Sequence, residues 1–302
     1  MPELVAEAAT AQHIGDRQRQ EDALIAHVPG GEGPGIAVLS DGMGGHDDGD
    51  LASRILVSEM FGELFLSAAR QPLTQRGGDA LFRAALDSAN TRLHQHIGAG
   101  CISDDTGGTL VSVVLDEGRL RWLSVGDSLL YLCRGGSVKQ LNQLHSMAAQ
   151  LDLMVAQGAM DQSAARSHPH RHCLTSAVTG RQIPRIDCPD QALALRAEDT
   201  VLLASDGLNV LRSAEIAKLV ARHAGHGSAA IARALVAAVG AKAAPDQDNV
   251  SVVVIRVSAA PPSAPPLTAR LSALALPLRG LLGRAAGAWG DGLRAMTRGT
   301  RL

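Results

Sequence analysis

The 302 residues are 46% apolar, only 2% aromatic and 19% charged, and the formal net charge is −2 at pH 7. So few aromatic side chains argue against the stacking surfaces that bind bases and sugars, and the near-zero charge gives no overall electrostatic footprint for nucleic acid. We therefore expect a globular protein without a nucleic-acid partner, whose core consists of Ala, Val, Leu and Ile.

Cysteine spacing and the N-terminal segment indicate the compartment. The four cysteines, Cys101, Cys133, Cys173 and Cys188, form no Cys-x-x-Cys pair, which favours a reduced protein over a disulfide framework. The first 20 residues have neither a basic start nor a continuous apolar stretch, and no window reaches the roughly 18 apolar residues of a membrane span. We therefore expect a cytoplasmic protein.

Short apolar runs bounded by turn residues predict strands, and longer runs with helical spacing predict helices. The predicted strands are Ile36–Ser40, Thr109–Leu115, Arg119–Val125, Ser128–Cys133, Thr200–Ser205 and Val250–Val257. The predicted helices are Leu51–Ala69, Asp79–Ile97, Ser213–Arg222 and Ser228–Ala241. Asp116-Glu117-Gly118 predicts a tight turn between the second and third strands. Strands in clusters, with helices inserted two at a time, favour an α+β layered domain over strict βαβ alternation.

This pattern ends near Ser258, so we predict a globular domain over residues 1–258. Residues 259–267 contain four prolines in nine positions and predict a semi-rigid linker. Leucines and arginines then recur at roughly helical spacing over 268–302, which fits a basic amphipathic segment for a membrane surface or a partner's groove, or a disordered tail. Residues 259–302 carry a net charge of +5, which leaves −7 on the first 258 residues.

Acidic residues recur at the ends of the predicted strands. Asp41 and Asp206 each follow an apolar run in the sequence Ser-Asp-Gly, 165 positions apart. Three further aspartates, Asp22, Asp127 and Asp248, precede apolar runs. A single Asp-Gly corner is usually a turn, and an isolated acidic pair is usually solvated. If the strand ends converge, however, four or more carboxylates share one small volume.

Crowded carboxylates repel one another, and they are tolerated only if they take up protons or bind cations. Because no matching set of Cys or His residues accompanies them, the oxygen ligands favour Mg²⁺ or Mn²⁺ over Zn²⁺. Two such ions roughly 3.5–4 Å apart lower the pKa of a shared water enough to give a nucleophile near neutral pH. The pattern therefore indicates hydrolysis of a phosphate ester.

With these residues in view, the chain resembles the metal-dependent Ser/Thr protein phosphatases of the type 2C (PPM) family, in their compact bacterial form. The resemblance runs in order over about residues 10–257. Its motifs are Gly15-x-Arg17-x-x-x-Glu21-Asp22, Asp41-Gly42-Met43-Gly44-Gly45-His46, Gly108-Thr109-Leu110, Gly126-Asp127-Ser128, Ser205-Asp206-Gly207 and Asp248-Asn249. It implies a central β-sandwich of two antiparallel sheets flanked by helix pairs, in four layers αββα.

The resemblance also implies two Mn²⁺ or Mg²⁺ ions per active site. Asp41 would bridge them, Gly42 would offer its carbonyl to one, and Asp206 and Asp248 would complete the other. Asp127 would lie at a weaker third site, as in bacterial members of the family.

Two acids and one arginine have further roles by resemblance. Glu21 and Asp22 would hold metal-bound water, and Arg17 would grip the substrate phosphate, which suits the bidentate guanidinium. The implied activity is hydrolysis of phosphoserine or phosphothreonine on proteins by a monomer, without a phosphoenzyme. An inactive PPM-fold scaffold or phosphopeptide-binding protein is the alternative, although the retained acids count against it.

The basic tail would place the protein peripherally at the inner membrane surface.

Departures from the family pattern concern positions outside the implied metal ligands. Gln20, Leu129 and Leu144 stand where the family usually has Asn, Arg and Asp. Met43 stands where eukaryotic members often have a His proposed as the general acid, so the resemblance implies that metal-bound water protonates the leaving group, with His46 as a possible substitute. Residues 134–198 correspond to the family's mobile flap beside the active site.

Overall fold

The computed structural model describes residues 4–30, 33–44, 48–70 and 78–260. The strands are β1 (Leu4–His13), β2 (Asp22–His27), β3 (Gly35–Met43), β4 (Gly107–Gly108), β5 (Leu110–Asp116), β6 (Arg119–Val125), β7 (Leu129–Arg134), β8 (Ser137–Gln140), β9 (Leu193–Ala194), β10 (Thr200–Ala204) and β11 (Val250–Ala259). The helices are α1 (Gly49–Arg70), α2 (Gly78–Gly98), α3 (Met147–Ala156), α4 (Gln162–Arg166), α5 (Ser213–His223) and α6 (Ser228–Ala241). Most of the predicted linker, and all of the predicted tail, lie outside the described residues.

Two antiparallel sheets form the centre of the fold. One has the strand order β1-β11-β10-β7-β8, and the other has the order β2-β3-β5-β6-β9, with β4 paired to β3. The hairpin between β5 and β6 closes through Glu117 and Gly118, whose φ values of 47° and 71° are those of a type I′ turn. This confirms the predicted turn.

Each sheet is covered by a helix pair on its outer face. In β3, Ile36 and Val38 pack against α1 and α2, while Ala37 and Leu39 face the other sheet. Because both faces of such a strand are buried, its sequence is a continuous apolar run rather than an alternating one. Helices α5 and α6 cover the outer face of the second sheet in the same way. The predicted four-layer αββα sandwich is therefore confirmed.

All six predicted strands and all four predicted helices are present, with ends that differ by up to three residues. Strand β1 was not predicted. Its sequence, Leu-Val-Ala-Glu-Ala-Ala-Thr-Ala-Gln-His, is rich in alanine and has little intrinsic strand preference, yet it pairs with β11 over ten residues. Tertiary pairing thus overrides a weak local preference.

The cysteines and helices give two further findings. All four cysteines are free thiols. Within the described ranges, no helix combines the length and the apolar character needed to cross a membrane.

Candidate metal centre

Strand topology brings the predicted acids to one end of the sandwich. Antiparallel pairing places the start of β2 beside the end of β3, and the end of β10 beside the start of β11. The short link between β6 and β7 lies at the same end, because Leu129 pairs with Ala204 at the end of β10. The acids that meet there are Asp22, Asp41, Asp127, Asp206 and Asp248, hereafter the carboxylate cluster.

Asp22 and Asp41 are direct partners in the β2–β3 ladder. Directly opposed side chains on neighbouring strands lie on the same face of the sheet. Asp22 is only 6% exposed. Its Oδ2 accepts a hydrogen bond from Ser205 Oγ at 2.8 Å, and its buried Oδ1 has no hydrogen-bond partner.

Burial and mutual repulsion raise the pKa values of the cluster. Burial raises the pKa of Asp22 to about 6 and that of Asp127 to about 7, in each case with a further contribution from the charge of Asp206. The pKa of Asp41 lies well above its ordinary value because of burial and then the Asp22 charge. Burial and Asp248 raise the pKa of Asp206. Without cations, the cluster therefore retains protons near neutral pH.

Two glycines allow the close approach of backbone around the cluster. A Cβ at Gly42 would lie 2.0 Å from the Gly49 carbonyl oxygen, and one at Gly207 would lie 2.1 Å from the Asn249 carbonyl oxygen. Neither glycine adopts a positive φ, so neither is needed for a left-handed backbone conformation. Glycine is required here because a side chain would overlap the neighbouring strand or helix start.

Buried hydroxyls hold the carboxylate-bearing strands in place. Ser205 Oγ bonds Asp22, as above, and accepts from the Ser251 amide at 3.0 Å, so it ties β10 to both β2 and β11. The Asp41 amide donates to Thr109 Oγ1 at 2.9 Å, and this hydroxyl also lies 2.7 Å from Ser128 Oγ. Sequence reasoning assigned these hydroxyls no role, although Ser205 and Thr109 lie in the quoted motifs.

Asn249 fixes the segment that carries Arg17 and Glu21. Its Oδ1 accepts from the Glu21 amide at 2.7 Å, and its Nδ2 donates to the carbonyls of Ile14 and Arg19 at 2.8 and 2.9 Å. With these bonds, Asn249 is buried and fully engaged. Arg17 remains exposed, and its Nη2 lies 2.7 Å from Asp248 Oδ2. Asn249 is thus a positioning residue that the sequence placed in a motif without a role.

A cavity of about 730 Å³ opens beside the cluster. Every predicted site residue except Asp22 lines it, namely Arg17, Glu21, Asp41, Gly42, Asp127, Asp206 and Asp248. Asp22 is instead buried beside Asp41. Among the described residues, no group of three or more acids, histidines or cysteines is already arranged to hold a metal ion.

The donor set fits hard divalent cations. The ligands available are carboxylate and carbonyl oxygens, which Mg²⁺ and Mn²⁺ prefer. Asp206 Oδ1 and Asp22 Oδ1 are buried without a hydrogen-bond partner. The pKa values of both carboxyl groups are raised, so a bound cation would stabilise their charged forms. Oxygen donors, unpartnered buried oxygens and raised carboxyl pKa values are the features expected of a cation site.

A family model described as protein phosphatase 2C matches residues 10–239. The chain belongs to the protein phosphatase 2C family. The resemblance inferred from the motifs is therefore confirmed.

Two curated relatives of this protein phosphatase 2C chain show how far the similarity extends. The Ser/Thr protein phosphatase PstP of Mycobacterium tuberculosis is 29% identical over 195 residues, which cover 64% of this chain and 34% of PstP. Protein phosphatase PhpP of Streptococcus pneumoniae is 27% identical over 208 residues, or 68% of this chain and 81% of PhpP. The chain thus spans about a third of the length of PstP.

Solved structures match over a larger part of the family fold. The crystal structure of Mycobacterium tuberculosis PstP/Ppp has a TM-score of 0.69 at 25% identity, covering 84% of this chain and 99% of that one. The PstP catalytic domain in complex with two manganese ions has a TM-score of 0.67 at 26% identity, with the same coverage. PppA of Pseudomonas aeruginosa has a TM-score of 0.66 at 28% identity, covering 84% and 99%.

The departures from the protein phosphatase 2C pattern have local consequences. Gln20 Oε1 accepts from the Asp22 amide at 3.1 Å, so glutamine supports the start of β2. Leu144 is partly buried against the core beneath α5 and α6. His46, the candidate general acid, lies outside the described residues. Within the predicted flap, several residues between His172 and Pro184 line the cavity.

Proposed function

We propose that this protein phosphatase 2C chain hydrolyses phosphoserine and phosphothreonine on proteins, using two divalent ions held by the carboxylate cluster. The observation that carries the proposal is the convergence of partly buried, mutually repelling carboxylates beside an open cavity, with an unpartnered oxygen on Asp206. The manganese complex of the similar PstP catalytic domain supports Mn²⁺ as the metal.

Asp41, Asp206, Asp248 and the Gly42 carbonyl would hold the two ions. When bound, such ions supply Lewis-acid stabilisation of the charge on phosphoryl oxygens and lower the pKa of water. Asp127, which lines the same cavity, would form a third and weaker site.

The chain's own groups position the substrate. The Arg17 guanidinium is exposed at the edge of the cluster, and its N–H groups that do not bond Asp248 would donate to the phosphate. Asn249 fixes the segment that presents Arg17, and Thr109 fixes the backbone of Asp41. Catalysis by such a site depends mainly on position and charge complementarity.

Hydrolysis of a phosphothreonine peptide tests the proposal. With Mn²⁺ we expect turnover that a chelator abolishes and added Mn²⁺ restores. Asp206→Ala should reduce kcat/KM by at least about a hundredfold, because metal stabilisation of the transition state is worth several kcal/mol. Asp87→Ala, which changes an exposed acid on α2, is the matched control and should leave kcat/KM unchanged.

Two results would contradict this activity. Turnover that survives chelation would remove the metal from the mechanism. Tight phosphopeptide binding without turnover, under every metal condition, would favour the inactive scaffold instead.

A further inference from the structure

Three basic side chains line the cavity within the described residues: Arg17, His172 and Arg181. Arg17 already serves the carboxylate cluster, since it pairs with Asp248 at 2.7 Å. Arg181 lies on a different wall, within the predicted flap and after helices α3 and α4. Its charge is permanent at any physiological pH. It is therefore a cation at the substrate cavity to which the proposed mechanism gives no task.

The backbone that carries Arg181 is firmly held. Asn90 of α2 donates from Nδ2 to the Arg181 carbonyl at 2.9 Å, and its Oδ1 accepts from the Gly180 amide at 2.9 Å. Gly180 has a φ of 71°, and a Cβ there would lie 2.9 Å from the Cα of His94. The turn thus packs closely against α2 and is held by two hydrogen bonds to Asn90, which fix the position of the Arg181 backbone along the cavity wall.

The Arg181 side chain, in contrast, is loosely held. Its Nη2 donates to the Asp104 carbonyl at 3.1 Å and lies 3.6 Å from Asp104 Oδ2. The side chains of Arg181 and Asp104 are 67% and 82% exposed. An exposed ion pair of this kind contributes little to stability, so another carboxylate can replace Asp104 at little cost.

We propose that Arg181 is a specificity-determining residue that binds an acidic side chain next to the phosphorylated residue of the substrate. This inference rests on the proposed phosphatase function. The guanidinium is already engaged by a carboxylate, and a bidentate pair with a substrate Asp or Glu would be stronger than the long contact to Asp104. Residues 1–258 carry a net charge of −7, so an acidic substrate needs a local cation at the cavity.

Steady-state kinetics on matched phosphothreonine peptides test the inference. The peptides carry either Asp and Glu or Asn and Gln beside the phosphothreonine. The wild type should prefer the acidic peptide, and Arg181→Gln should lower kcat/KM for that peptide by about tenfold, mainly through KM, as expected for one charge-assisted contact. The neutral peptide should change less than about twofold under the same estimate. Arg92→Gln, an exposed arginine on α2 paired with Glu59, is the control and should change neither value.

Two further variants should change the preference for the acidic peptide in opposite directions. Asp104→Asn should lower KM for the acidic peptide, because it removes the competing carboxylate. Arg181→Glu should reverse the preference toward a peptide with Lys in the same positions.

The inference is overturned if the wild type shows no acidic preference, or if Arg181→Gln affects both peptides equally, which would assign Arg181 to the scissile phosphate or to structure alone. If the wild type hydrolyses neither peptide with Mn²⁺, the proposed activity fails instead. Fluorescence anisotropy of the two labelled peptides then measures their affinities for wild type and Arg181→Gln, and so still decides whether Arg181 binds the acidic residue.

Discussion

Asp41→Asn is expected to stabilise the metal-free protein while it abolishes phosphatase activity. Burial and the charges of Asp22, Asp206, Asp248 and Asp127 all raise the pKa of Asp41, so its carboxylate opposes folding at neutral pH. Asparagine keeps the shape and removes the charge. We expect the free energy of unfolding to increase, because a carboxylate whose pKa is raised by folding destabilises the folded state at neutral pH. Activity should fall about a thousandfold, because a metal ligand is lost.

Urea unfolding at pH 7.5 with a chelator measures the first effect, and peptide hydrolysis with Mn²⁺ measures the second. Asp87→Asn, at an exposed position on α2, is the matched control and should change neither quantity. A variant that is less stable than wild type without metal, or one that keeps its activity, would show that Asp41 is an ordinary structural acid.

The metal-free protein should also lose stability as the pH rises from about 4 to about 7. The pKa of Asp22 is about 6 and that of Asp127 about 7 in the folded protein, against 3.8 in the unfolded chain. Between these values the folded state binds more protons, so its stability is complete below about pH 4 and declines as each folded-state pKa is passed. For the buried Asp22 the difference corresponds to about 3 kcal/mol.

Thermal unfolding with a chelator at several pH values measures this decline. Burial lowers the pKa of His145, which acts in the opposite direction, so wild type is compared with Asp127→Asn rather than examined alone. The variant should lose the part of the decline between about pH 6 and 7. Saturating Mn²⁺ should flatten the profile, because cations replace protons on the cluster. Parallel profiles for the two proteins would contradict the assigned pKa of Asp127.

Much of the fold follows from the sequence because the central strands are buried on both faces. A run such as Ile36–Ser40 is too short for a typical helix, so its length favours a strand, and the Asp-Gly corners mark where such runs end. Strand β1 was missed because its alanines carry little local preference and its partner, β11, lies more than 230 positions away. Long-range pairing of this kind leaves no local pattern.

The sequence predicted the acidic residues of the candidate site, but not the side chains that hold those acids in place by hydrogen bonds. Carboxylates at strand ends are visible in the sequence because charge next to an apolar run is conspicuous. Ser205, Thr109 and Asn249 act through hydrogen bonds to segments that are distant along the chain, and such partners become known only when the strands are placed. The close backbone approach at Gly42 and Gly207 could not be predicted, since it is a property of the assembled fold.

Calorimetric titration of the metal-free protein with Mn²⁺ at pH 6.5, in two buffers of different ionisation enthalpy, tests the central claim most directly. The carboxylate cluster is then expected to bind two ions per chain and to release protons, because the folded-state pKa values of Asp22 and Asp127 lie near this pH. Asp41→Asn should lose at least one of the two ions. An absence of saturable binding, or saturation without any proton release, would contradict the assignment of this cluster as a metal centre.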